Sequence, residues 1–302
     1  DLVRETLPFQ LMPAVVPQLK SITIGGALAG VGIESSSFMY GFVHETILEI
    51  DILLPDGTVV VATQDNAHRD LFFGFANSYG TLGYALKVKV QLVPVKKFVQ
   101  LRHERYSDLD SYFRALGLVC QDRQVDFVDG TMFDEHELYI TTGECVDQAE
   151  WLSDYTYRHI YYRSIHDYLW RWDTDWFWCS KHFFVQHPVV RWFWGRKRLC
   201  SRVYWKLRSR FNRSPLAQRV AKALIGRQEA VIQDVEIPLE HAAEFARFFN
   251  REIGITPVWI CPVMSCDPSA SYPLYPMTPG KLYVNFGFWD AVSTDHEDGY
   301  FD

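Results

Sequence analysis

Apolar residues in this chain fall into short runs broken by turn residues, and the spacing within the runs predicts mixed α and β structure. Glu45 to Leu54 carries Ile47, Leu48, Ile50, Ile52, Leu53 and Leu54 and predicts a strand. Pro55-Asp56-Gly57-Thr58 is a turn, because proline presets φ and glycine accepts a positive one, and Val59 to Ala62 is the returning strand. Asn66 to Ala76 predicts a short helix with Leu71, Phe72 and Phe75 on one face. Tyr84 to Val93 predicts a further strand, which Pro94 ends.

Beyond position 97 the order strand, helix, strand, strand occurs twice. In the first copy Phe98 to Arg105 is a strand and Leu109 to Leu118 a helix, and Val125 to Phe133 with Glu137 to Thr142 forms a hairpin around Asp134-Glu135. In the second, Ala230 to Ile237 is a strand, Leu239 to Glu252 a helix, and Pro257 to Met264 and Lys281 to Phe288 are strands. The second helix has Leu239, Ala242, Ala243, Phe245, Ala246, Phe248 and Phe249 in a broad stripe at helical spacing. The copies share architecture and no sequence identity. Two such units predict one antiparallel sheet with its helices on one face. Residues 143–229 predict a mostly helical excursion, with a break or start at Asn212-Arg-Ser-Pro215, and Pro268 to Gly280 is a loop. The expected fold class is therefore α+β, divided into residues 1–97 and 98–302.

Thr23 to Gly41 stands apart from these runs. Gly25, Gly26, Gly30 and Gly32 are followed by three hydroxyls, Ser35, Ser36 and Ser37. Glycine lets backbone groups approach a bulky anionic ligand, and hydroxyls supply donors and acceptors for its polar edges. The segment suits a large flat cofactor, and it equally suits a loop that only packs tightly. Gly80-Thr81-Leu82-Gly83 is a second glycine pair.

The order of a Gly-Gly segment, a Tyr-Gly turn, a strand–Asp-Gly–strand hairpin, an Asp-Leu-Phe helix and a Gly-Thr-Leu-Gly loop resembles the second half of a PCMH-type FAD-binding domain of the vanillyl-alcohol-oxidase superfamily. Within it the resemblance is to the Δ24-sterol reductase branch. Thr23 to Gly41, Asp70 to Lys97 and Thr256 to Pro262 carry it. It implies an FAD-binding part in residues 1–97 and a substrate-covering (cap) part in 98–302. It implies FAD contacts, mainly through backbone, at Thr23, Ile24, Gly25, Gly26, Ala27, Leu28, Ala29, Gly30, Val31, Gly32, Ile33, Glu34 and Ser35, and at Gly80, Thr81, Gly83 and Ala85. The implied activity is reduction of a C=C bond in a sterol-like lipid, with NADPH as electron source by resemblance alone. The alternatives are an FAD-linked oxidase or dehydrogenase of another hydroxylated substrate, or a flavin-free scaffold that kept the fold. Family members begin with a smaller α/β subdomain and continue past the position of Asp302. The chain is accordingly expected to be an internal fragment or a degenerate member, not to hold FAD by itself, and to expose an apolar sheet face.

Composition narrows these readings. The 302 residues are 48% hydrophobic and 16% aromatic, which excludes disorder. Cys120, Cys145, Cys179, Cys200, Cys261 and Cys266 form no Cys-x-x-Cys pair, and no metal site is expected. There is no run of about 18 apolar residues. The net charge of −7 conceals an uneven distribution: residues 170–213 hold eleven Lys or Arg against Asp173 and Asp175, together with seven of the ten tryptophans. This segment first suggests an aromatic helical insertion packed on the rest of the chain, and secondly peripheral contact with an anionic membrane. Nucleic acid is not an expected partner. The expected location is intracellular, cytoplasmic or peripheral on a membrane.

No catalytic residue is assigned. Reduction of an isolated C=C needs an apolar slot and a proton donor, for which Tyr, His, Glu or Cys would serve. Glu34, the one acid inside the glycine segment, reads most simply as a surface carboxylate and otherwise as a contact to a ribose hydroxyl or a group acting near the flavin, and His44 reads as solvated or satisfied. Trp259 and Cys261 share one face of a strand, and their side of the sheet is either ligand-facing or core. Asp129 with Thr131, Tyr139 with Thr141, and Tyr283 with Asn285 are similarly patterned. No Rossmann spacing, Walker loop or Gly-x-Ser-x-Gly elbow is present.

Overall fold

A computed structural model describes residues 1–152, 160–173, 187–195, 198, 200–215, 219 and 228–293. The chain opens with α1 (Leu2–Thr6) and β1 (Leu11–Pro13). The glycine segment is not one loop: it contains α2 (Ile24–Ala29) and α3 (Ser37–Tyr40). The cap makes the first helix feasible, because the Thr23 hydroxyl accepts the Gly26 N–H at 3.0 Å and offsets the weak helix propensity of paired glycines. The predicted hairpin is β2 (Ile47–Leu53) and β3 (Val59–Ala62), and the following helix is shorter than expected, α4 (Arg69–Gly74). The strand expected to run from 84 to 93 is split into β4 (Tyr84–Val90) and β5 (Leu92–Pro94). The split occurs because β4 pairs with β2, whereas β5 leaves to pair with β1. Ile50, Ile52, Ala62, Phe72 and Phe75 from these elements enclose one core.

The second half is β6 (Phe98–Tyr106), α5 (Leu109–Asp122), β7 (Phe127–Asp134), β8 (Glu137–Val146), β9 (Ile160–Ser164), α6 (Ile165–Leu169), α7 (Pro188–Trp194), α8 (Ser201–Asn212), β10 (Gln228–Pro238), α9 (Leu239–Glu252), β11 (Val258–Val263) and β12 (Tyr283–Ser293). The two predicted units join into one antiparallel sheet in the order β10-β12-β11-β7-β8-β6-β9. Helices α5 and α9 pack on each other and on one face of this sheet, where Tyr112, Phe113, Leu116, Phe249, Ile260 and Phe286 form the largest core. Among its described residues the excursion holds the helices α6, α7 and α8 and also a strand. Strand β9 completes the sheet edge against β6, and β8 extends past Thr142 to Val146. Trp176, Trp178, Cys179 and Lys181 lie outside the described residues, as does the Arg196-Lys197 pair. No helix among the described residues is long and apolar enough to cross a membrane.

Candidate functional site

The glycines of the two predicted cofactor segments divide by what their backbones tolerate. A Cβ at Gly30 would stand 2.9 Å from the Gly26 carbonyl oxygen, and one at Gly32 2.9 Å from Val43 and 3.1 Å from Ala27. Gly83 has φ +134°, and a Cβ there would lie 2.4 Å from the Leu53 carbonyl oxygen. Packing alone demands these three glycines. Gly25 is different: its nearest neighbour would be Ala85 Cβ at 3.6 Å, an ordinary contact. Tyr79 N–H donates to the Ala29 carbonyl at 3.1 Å, so residues 23–30 and 79–85 lie side by side. Asn77, Tyr79, Gly80 and Gly83 all have positive φ, as does Val31. Such strain gathers where backbone is shaped for a ligand or a tight join. Of the predicted contact residues, Thr23, Gly26, Gly30, Gly80 and Thr81 are exposed; Ile24, Gly25, Ala29, Val31, Gly32, Ile33 and Ala85 are half-buried. Ala27 and Leu28 point into the core and Gly83 is buried, so any contact they make is through backbone.

Glu34 and Ser35 turn away from that surface and are buried, against the expectation of a surface carboxylate. They face the side of the large sheet opposite α5 and α9. The structure thereby resolves the strand alternation: Trp259 and Cys261 belong to this side, in a cluster with Ile33, Trp172 and Trp289. Asp129 on β7 joins them, its Oδ2 accepting the Trp259 indole N–H at 3.3 Å. Asn285 on β12 lies opposite Cys261 in register and donates to Asp234 at 2.9 Å. Tyr139 and Thr141 on β8 pair with Thr131 and Asp129.

The residue that joins the glycine segment to the sheet is Arg171, just after α6. Its Nη2 donates to Glu34 Oε1 and to Asp129 Oδ2, both at 2.6 Å. The guanidinium stacks over the Tyr168 ring at 4.2 Å, and the Tyr168 hydroxyl meets Ser35 Oγ at 2.8 Å. All three charged side chains are at most 8% exposed. Burial pushes the Glu34 carboxyl above its ordinary range; Arg171 opposes the shift and Asp129 adds to it. Burial likewise holds the Tyr168 phenol and the Cys261 thiol well above their usual values, so both are neutral. Arg171 was hidden in the basic tryptophan-rich segment, whose composition says nothing about which single cation turns inward.

His44 is also buried, with its ring stacked on Phe42 at 5.2 Å and edge-on to Tyr272 at 4.3 Å. Its Nδ1 has no partner within the protein, and burial lowers its pKa to about 3. It lines a cavity of about 220 Å³ with Glu45, Ser265, Tyr272 and Tyr275, beneath the 268–280 loop. Among the described residues, no group of His, Cys, Asp and Glu could hold a metal ion.

Residues 1–63 match an FAD binding domain. Over 305 residues the chain is 25% identical to the Delta(24)-sterol reductase of Homo sapiens, covering 93% of this chain and 57% of that protein. The Delta(24)-sterol reductase of Pisum sativum is 29% identical over 300 residues, covering 87% and 51%. Cytokinin dehydrogenase 7 of Oryza sativa is 29% identical over 134 residues, 43% of this chain. The chain spans about half the length of the sterol reductases it matches. The chain is thus similar to an FAD binding domain over residues 1–63 and, at modest identity over most of its length, to Delta(24)-sterol reductases.

Proposed function

We propose that this chain forms the flavin- and substrate-facing part of an FAD-dependent enzyme that reduces a carbon–carbon double bond in a sterol-like lipid, with NADPH as the electron source. The observation that carries the reading is the seam itself. Ile33 and Glu34 of the glycine segment oppose Asp129, Trp259 and Cys261 of the sheet, and aromatic side chains close the space between them. The names of the sterol-reductase relatives supply the substrate class.

The residues fit a flavin dinucleotide. Gly25 leaves room that the fold does not require, and the adjoining 79–85 strip is open to solvent at Tyr79, Gly80, Thr81 and Tyr84. Residues 23–33 and 80–85 would hold the cofactor, largely through backbone. When bound, reduced flavin supplies hydride, which is the part of the chemistry that side chains cannot perform. The chain's own residues do the rest. Trp259, Trp172 and Ile33 exclude water from an apolar alkene, and the Arg171 bridge keeps Glu34 and Asp129 aligned across the seam. In this reading the division between flavin-binding and cap parts falls near residue 97.

The test is incubation of the enzyme of which this chain forms part with FAD, NADPH and a sterol carrying a side-chain double bond, followed by mass analysis of the sterol. A gain of two hydrogens is the expected result. A second reading, oxidation of a hydroxylated or amine substrate, draws on the cytokinin dehydrogenase similarity. Oxidation of such a substrate with no alkene reduction would favour it.

A further inference from the structure

Two carboxylates and one guanidinium share the seam, and that count has a chemical consequence. If both Glu34 and Asp129 were ionised, the triad would carry a net negative charge in a place where none of its side chains is more than 8% exposed. An uncompensated buried charge is costly, and the seam avoids it by retaining one proton. The hydrogen bonds show where. Asp129 Oδ2 accepts from both Arg171 and the Trp259 indole. Glu34 uses only one of its oxygens: Oε1 accepts the Ser35 N–H at 2.8 Å and Arg171 at 2.6 Å. Glu34 Oε2 is buried with no partner within the protein. A bare carboxylate oxygen there would be a buried charge with no donor, whereas a neutral carboxyl leaves no charge to compensate.

We propose that Glu34 holds the single proton of the Glu34–Asp129–Arg171 triad and gives it to a substrate carbon at the seam. The donation step rests on the reductase reading above. The alkene receives hydride from reduced flavin at one carbon and the Oε2 proton of Glu34 at the other. The π bond breaks, two C–H bonds form, the flavin is left oxidised, and Glu34 is left as a carboxylate that solvent reprotonates. The other titratable groups around the triad are Tyr168 on α6, bonded to Ser35, Cys261 on β11, and Asp234 on β10, bonded to Asn285. Tyr168 and Cys261 are weaker acids held neutral by burial. Asp234 interacts with Cys261 and lies beyond it from Glu34 along the sheet.

The test has two arms. The first needs neither flavin nor substrate: infrared spectra at pH 7 of the wild type, Glu34→Gln and Asp129→Asn, each checked by circular dichroism for wild-type folding. A protonated-carboxyl C=O band should be present in the wild type, shift when ¹³C is placed in glutamate but not in aspartate carboxyls, and be lost in both Glu34→Gln and Asp129→Asn, because either change leaves one carboxylate to one guanidinium. Glu34→Asp, a shorter acid, should restore it if the Gln variant misfolds. Absence of the band from the wild type, its shift on aspartate labelling, or its survival in Glu34→Gln, would overturn the proposal. In the second arm, Glu34→Gln should lower alkene reduction by about 10²–10⁴-fold while chemical reduction of bound flavin keeps its rate. Alkene reduction at the wild-type rate overturns the donation step. A wild type that reduces no alkene overturns the reductase reading instead, and the infrared arm still decides where the proton sits.

Discussion

Arg171 is the residue on which the seam depends, and its removal should be costly in a pH-dependent way. Arg171→Met would leave Glu34 and Asp129 buried without their cation, which costs about 3–5 kcal/mol. Urea unfolding at pH 7 should show that loss. It should shrink as pH falls, because protonating the one carboxylate left charged in the seam removes the charge that destabilises. His44 behaves in the opposite sense. Its folded pKa is lowered to about 3, so below the ordinary histidine value of 6.5 the unfolded chain takes up a proton that the folded chain refuses. Stability contributed by neutral His44 is complete above pH 6.5 and is lost between there and about pH 3, at about 1.4 kcal/mol per pH unit. From pH 7 to pH 5 the wild type should therefore lose about 2 kcal/mol more than His44→Phe. Equal losses would show that His44 is solvated after all. These two residues also mark the limit of the sequence. Glu34 and His44 are polar residues near turns, a pattern that usually means exposure, and only the arrival of distant aromatics and Arg171 buries them. The pairing of Trp259 with Cys261 on one face was legible from strand alternation, but the side of the sheet it faced was not.

At the scale of elements, hydrophobic period and turn chemistry located most strands and both sheet-packing helices. The misses share one cause, which is pairing decided far away in sequence. The run from 84 to 93 looks continuous because its residues are uniformly strand-forming, yet β1 claims Leu92 and Val93 at its end, together with Pro94. Strand β9 is similarly invisible within a Tyr-rich stretch, where pairing with β6 is what makes it a strand. One glycine on the central strands shows how tightly the layers interlock. The Tyr112 hydroxyl reaches from α5 through β7 and donates to the Tyr139 carbonyl at 3.2 Å. It passes where Gly130 has no side chain; a Cβ there would lie 2.1 Å from that hydroxyl oxygen. Gly130→Ala should displace Tyr112 and cost about 1–3 kcal/mol, read as a lower melting temperature. An unchanged melting temperature would mean that α5 adjusts freely over the sheet. The same reasoning separates two probes of flavin binding. Gly83→Val would disrupt the join of β2 to β4 whatever the ligand, whereas the Cβ of Gly25→Val would meet only Ala85, at ordinary contact distance.

For the whole molecule, the two halves meet along one seam, and two outer surfaces remain apolar. On the three-stranded sheet Leu48, Val59, Val61, Tyr84 and Leu86 are exposed, in keeping with the apolar face expected there. On the basic excursion Trp192 and Phe193 are 78% and 73% exposed, beside α8 with Arg202, Lys206, Arg208 and Arg210. Aromatic and cationic side chains together suit an anionic bilayer surface. The protein should sediment with anionic liposomes, and the Trp192→Ser/Phe193→Ser double variant should do so less. Equal sedimentation of the two would remove α7 from any membrane contact.

The central claim is that a flavin lies against the glycine segment and the 79–85 strip, at the edge of the seam closed by Arg171. Hydrogen–deuterium exchange with and without excess FAD tests it most directly, because weak binding is enough to slow exchange when ligand is abundant. Bound flavin should slow exchange in residues 23–35 and 79–85, leave α5 and α9 unchanged, and lose this effect in Gly25→Val. Protection confined to other segments, such as the His44 cavity, or equal protection in Gly25→Val, would contradict it.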